Sequence, residues 1–174
     1  YTETADKILN RLNAIRKEAC REGVRNPVSG EPLTMDDYVP LQWSSDMEAI
    51  ARLRAAEATV NQDHIRPNGQ TCNTVVTQNG ERLWAENLAW NYDGLMKGIE
   101  QWYEEKKDWV NQTGRVTGHY TSMISPYYTS VGVSAFRQPG GGWYTVAQAF
   151  SYKDGMDSQK DPSHGSCTQY MEVQ

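Results

Sequence analysis

Gly118-His119-Tyr120-Thr121-Ser122-Met123-Ile124 is the stretch on which the reading of this 174-residue chain turns. A histidine opens a run, Tyr120 to Ile124, whose pattern reads as a strand. Two further strands are expected at Ser130 to Arg137 and Trp143 to Ser151, joined by Gln138-Pro139-Gly140-Gly141-Gly142, a hairpin signal. Strands thus cluster late, and what precedes them reads as helical. That order predicts an α+β fold in which helices cover a small antiparallel sheet.

Upstream, Ile8, Leu12, Ile15 and Ala19 recur at three and four residues, which predicts a helix from Thr4 to Glu22, ended by Gly23. Arg16, Lys17 and Arg21 read as charges favoured towards its negative end. Three prolines and one glycine from Val24 to Leu41 predict an ordered surface loop. Ser45-Asp46-Met47-Glu48 has capping-box form, so a second helix starts near Asp46 and ends near Asn61, with Met47, Ile50, Ala51, Leu53, Ala58 and Val60 on its apolar side. His64 follows at the helix end or in the loop beyond it.

Asp93 is expected to cap a third helix from Gly94 to Gln112, preceded by the apolar stretch 83–90 with its single carboxylate, Glu86. At about 100° per residue, Leu95, Ile99, Trp102, Trp109 and Val110 share one face. Glu105 falls on the margin of that face and Glu104 on the polar side. Lys106 falls near the face centre, where its stem would have to snorkel. Residues 1–152 are expected to form one domain, and 153–174 an irregular tail packed on it or trailing from it. A chain this long buries roughly 70% of the surface its unfolded form exposes.

Seventeen Lys and Arg against 22 Asp and Glu give a net charge of -5, which disfavours nucleic acid and anionic membranes as partners. No apolar run approaches the roughly 18 residues that span a bilayer. Cys20, Cys72 and Cys167 form no CxxC pair and allow at most one internal disulfide. Few cysteines, abundant Trp and Tyr, and a start at Tyr1 without methionine fit a secreted bacterial protein whose signal has been removed.

Lesser candidates yield to plainer readings. Ser163-His164-Gly165-Ser166 lacks a nucleophile elbow and reads as solvated tail. Gly140 to Gly142 lack the lysine and helix of a phosphate loop. Cys72 has no adjacent lysine or arginine to activate it. Alone, His119 among aromatic neighbours also reads as a packing residue.

Motifs in series change that. GHYTSMISP at 118–126 resembles the signature beginning Gly-His-Tyr-Thr of the CAP domain, the fold shared by cysteine-rich secretory proteins, insect venom antigen 5 and plant pathogenesis-related proteins of the first class. AENLAW at 85–90 resembles that family's Gly-Glu-Asn-Leu-Ala, with Ala85 in place of the glycine. LNAIRKEA at 12–19, PLQWSSDMEAIARLRAAE at 40–57, HIRPNG at 64–69 and WYEE at 102–105 follow the family's order, and HIRPNG and SPYYTSVGVSAF resemble its bacterial, SCP-like extracellular members.

The resemblance implies an α-β-α sandwich with a central antiparallel sheet and a cleft lined by His64, His119, Glu86 and Glu105. Two neutral imidazoles facing one cleft are a ligand set for Zn²⁺ or another divalent metal, with the carboxylates orienting them. A hydrolase acting on peptide or cell-wall material, with Glu86 or Glu105 as catalytic base, is the competing reading. Some family members bind sterols or other lipids, but the 24–41 loop concentrates no apolar patch and lipid binding is disfavoured. The partner expected is an unknown extracellular ligand or protein. Ser122 and Ser125 stand where the family commonly has glutamine and tryptophan.

Overall fold

Helix α1, Ala5–Glu22, begins where the periodicity places it: Thr4 Oγ1 accepts the Lys7 amide, and Gly23 closes the helix in the left-handed region at φ 67°. The computed structural model describes residues 4–152, so the tail, with His164 and Cys167, lies outside the described residues. Ile8, Leu12, Ile15 and Ala19 are fully buried. Arg16 shares their face. Its guanidinium donates to the carbonyls of Val39, Met123, Ser125 and Tyr128, tying α1 to two later segments. Burial lowers its pKa to about 10, still far above neutrality. Arg16 is thus a core residue, selected by its place between Leu12 and Ala19, and its dipole role is secondary.

The 24–41 loop is ordered by its own bonds: Arg25 bridges Pro32, Asn26 Oδ1 accepts the amides of Val28 and Ser29, and Met35–Asp37 makes one 3₁₀ turn. Beyond it the two-residue strand β1, Gln42–Trp43, precedes helix α2, Ser45–Val60. The cap of α2 is Ser44, whose Oγ accepts the Met47 amide, and not Ser45. Tandem serines make the sequence ambiguous by one residue. The buried stripe of α2 is Met47, Ile50, Ala51, Arg54, Ala55 and Ala58. Leu53 and Val60 are exposed, so helical spacing and not hydrophobicity picks the face.

Strand β2, Ala85–Asn91, comes next. The single helix expected over 94–112 is two, α3, Leu95–Tyr103, and α4, Lys106–Asn111. Asp93 does not cap α3; Asn91 Oδ1 accepts the amides of Asp93 and Gly94 instead. The break falls at Glu104 and Glu105 without Pro or Gly, the Glu105 amide tightening back to the Trp102 carbonyl. Side chains fix it. Glu105 turns inward, and Lys106 reaches Glu18 and Glu22 on α1 at 2.5 and 2.9 Å, paired and not merely snorkelled. Val110 is carried off the apolar face and is exposed.

Gly118–Ile124 is a helix, α5, and not a strand. Seven residues are too few for periodicity to decide. As a helix the segment puts Tyr120, Met123 and Ile124 into the core together, and the Thr121 and Ser122 hydroxyls bond back to the Gly118 carbonyl. The expected hairpin follows as β3, Ser130–Arg137, and β4, Tyr144–Ser151.

The sheet order is β1-β3-β4-β2, antiparallel throughout except for the short β1–β3 pair. One face packs on α2 through Leu88, Trp90, Ala147 and Ala149. The other carries Ala85, Ala89, Val131, Val133, Val146 and Phe150 against α1, α3 and α5. This is an α-β-α sandwich. Gly132 lets α2 lie directly on β3, since a Cβ there would sit 2.1 Å from the Glu48 backbone nitrogen.

Candidate functional site

Successive residues of a strand point to opposite faces, so Glu86 and Asn87 serve different helical layers from one edge strand. Glu86, 1% exposed, faces α2, where Arg54 Nε donates to its Oε2 at 2.7 Å and Nη2 to its Oε1 at 3.1 Å. Burial would lower the Arg54 pKa, but the Glu86 charge and hydrogen bonds raise it above its ordinary value. His64, fully buried in the loop after α2, sets Nδ1 2.8 Å from Glu86 Oε1. A carboxylate only accepts, so Nδ1 carries the proton and Nε2 the lone pair. That Nε2 is buried without a hydrogen-bond partner among the described residues.

A second pair is tied to the next residue of β2. His119 Nδ1 lies 2.6 Å from Glu105 Oε2, while Glu105 Oε1 accepts the Tyr120 amide at 3.0 Å. Glu105 therefore satisfies an amide in the first turn of α5 and fixes the imidazole in one stroke. The His119 ring stacks on Trp102, centroids 6.4 Å apart and 18° between planes, and Trp102 Nε1 donates to the Leu88 carbonyl. Asn87 Nδ2 donates to the His119 carbonyl at 3.1 Å and to Gln148 at 2.9 Å. Adjacent residues of β2 thus hold both histidines.

All four expected residues are buried, in two His–carboxylate pairs, His64 with Glu86 and His119 with Glu105. The preference for Glu105 over the exposed Glu104 follows from the helical face. Ser122 points its hydroxyl at its own helix. Arg54 and Asn87, which position the acid and the second histidine, were not singled out from the sequence. The signal for Arg54 was its spacing, four residues past Ile50 and four before Ala58.

Among the described residues, His64, Cys72 and Glu86 bring one ligand-type atom each within 4.8 Å of one another. Cys72 is disulfide-bonded and Cys20 is a free thiol. A disulfide sulfur is not a thiolate, so the oxidised Cys72 supplies no anionic ligand. Both oxygens of Glu86 are engaged by Arg54 and His64, which leaves His64 Nε2 as the donor of this group open to an ion.

The profile of the cysteine-rich secretory protein family, CAP, matches residues 9–150, and the chain belongs to that family. It is 28% identical over 160 residues to a venom allergen 5 of Microctonus hyperodae, covering 85% of this chain and 66% of that protein. To a pathogenesis-related protein of Candida albicans it is 29% identical over 93 residues, covering 53% of this chain and 39% of the relative. The chain therefore spans two thirds or less of these relatives. Among solved structures it is similar to NaASP2 with Zn²⁺, TM-score 0.59 at 15% identity over 97% of this chain and 96% of that one. It is also similar to BmVAL-1, TM-score 0.55 at 14% identity, over 99% and 95%. These likenesses share the fold. No helix among the described residues is long and apolar enough to cross a membrane.

Proposed function

We propose that this CAP domain works outside the cytoplasm and binds a divalent metal, Zn²⁺ foremost, through Nε2 of His64 and Nε2 of His119. The observation that carries the reading is the pairing of each imidazole Nδ1 with a buried carboxylate, at 2.8 and 2.6 Å. That pairing holds the tautomer in which Nε2 is the ligand, as carboxylate–histidine–metal sites require. A metal on two imidazoles keeps positions open for water and an incoming ligand, where it acts as a Lewis acid. One of the similar structures is of a protein with Zn²⁺.

Glu86 and Glu105 serve as positioning residues. Hydrolysis with either as base has less support, because the oxygens of both already accept from Arg54, His64, His119 or the Tyr120 amide. The Cys72 disulfide favours an oxidising, extracytoplasmic compartment. Calorimetric titration with Zn²⁺ is expected to give saturable binding with proton release, abolished in His64→Ala and in His119→Ala. Binding undiminished in both variants, or appearing only after reduction of Cys72, rejects the reading.

A further inference from the structure

Beyond the two histidines, the far end of β2 opens into a cavity of about 530 Å³, within the roughly 300–1,000 Å³ of small-molecule sites. Three aromatic residues line it, Trp90, Tyr92 and Trp143. Trp90 is nearly buried and anchored by its Nε1 to the Ala58 carbonyl at 3.1 Å. Trp143 is half-buried beside the hairpin turn, where a Cβ on Gly141 would come within 2.6 Å of its Nε1. Glycine there leaves room for the indole. Tyr92 is 76% exposed.

The polar groups fall into two sets. Asn91 and Gln101 are spent on the protein: Asn91 Nδ2 donates to Gln101 Oε1 at 2.9 Å and Gln101 Nε2 to the Trp90 carbonyl at 3.2 Å. They stiffen the floor. Gln62, Asp93 and Lys97 also line the cavity and are exposed, and their side chains have no hydrogen-bond or ion-pair partner among the described residues. They offer an amide, an acceptor and a donor, and the two charges cancel.

Flat apolar walls with an uncharged balance of donors and acceptors match one ligand chemistry well, a pyranose ring. Its C–H face stacks on an aromatic plane while its equatorial hydroxyls both give and take hydrogen bonds. An anion would meet Asp93 as well as Lys97, and a purely apolar chain would make no use of the three polar side chains. Gln101 also lines a second cavity of about 550 Å³ that reaches Glu105 and Arg115. We infer that the Trp90–Tyr92–Trp143 pocket binds a neutral oligosaccharide, its sugar rings stacked on the aromatic side chains and its hydroxyls met by Gln62, Asp93 and Lys97.

The test is titration of the full chain with cellotetraose and with chitotetraose, read by tryptophan fluorescence and calorimetry. Saturable binding of at least one sugar is expected, weakened about tenfold by Tyr92→Ala and by Trp143→Ala and unchanged after metal chelation. Tyr92 is exposed, so its variant retains the fold and decides the matter if Trp143→Ala is unstable. No saturable binding of either sugar overturns the inference, as does binding indifferent to Tyr92→Ala. Selection of a peptide from a random pool that neither sugar displaces assigns the pocket to a peptide instead.

Discussion

Glu105 and His119 are joined across the start of a helix: one carboxylate oxygen lies 2.6 Å from the imidazole Nδ1 and the other accepts the next amide, that of Tyr120, at 3.0 Å. The same residue ends α3, since its inward turn coincides with the break before Lys106. Substituting Glu105→Gln removes the charge from both contacts. Zinc affinity is expected to fall about 10–100-fold, and stability by about 1–3 kcal/mol. Calorimetry and urea unfolding measure the two; unchanged zinc affinity would show that the carboxylate does not orient the imidazole.

Arg54 is fully buried and doubly bonded to Glu86. Arg54→Ala strands a buried carboxylate, with an expected cost of about 3–5 kcal/mol in urea unfolding. The double change Arg54→Met with Glu86→Leu is expected to recover most of that stability while weakening zinc binding. A single-variant cost below about 1 kcal/mol would mean that water reaches the pair.

Gly132→Ala tests the seating of α2 on β3. A Cβ at 2.1 Å from a backbone nitrogen cannot be relieved by a rotamer change, so the helix must shift. The expected loss is at or above the usual 1–3 kcal/mol of overpacking. Thermal unfolding reads it, and an unaffected midpoint would contradict this packing.

At Glu18 burial raises the carboxyl pKa, but hydrogen bonds from Lys106 and Tyr103 outweigh it and hold it below the ordinary 4.5. A depressed carboxylate contributes stability above its unfolded value, and that contribution is lost as pH falls through the lower folded value. Cooling of the melting temperature between about pH 6 and about pH 3 should therefore be smaller in Glu18→Gln than in the parent chain. An equal loss in both would remove Glu18 from the acid sensitivity.

Much of the architecture could be read before the structure. α1, the α2 limits and the β3–β4 hairpin are long or strongly punctuated, and the CAP motifs carried His64, Glu86, Glu105 and His119 together. What was missed shares a cause. Residues 118–124, the 104–105 break, and the burial of Arg16 and Arg54 depend on partners distant in sequence, such as Glu105 for α5 or Glu86 for Arg54. Local pattern carries no record of those partners, although both arginines stand at helical spacing from the buried apolar residues of their helices.

The metal ligands proposed are Nε2 of His64 and Nε2 of His119. X-ray absorption at the zinc edge of the zinc-loaded chain measures them directly. Imidazole nitrogens are expected at about 2.0–2.1 Å, with a loss of imidazole scattering in His64→Ala and His119→Ala. A sulfur shell at about 2.3 Å, or a spectrum without imidazole, would contradict it.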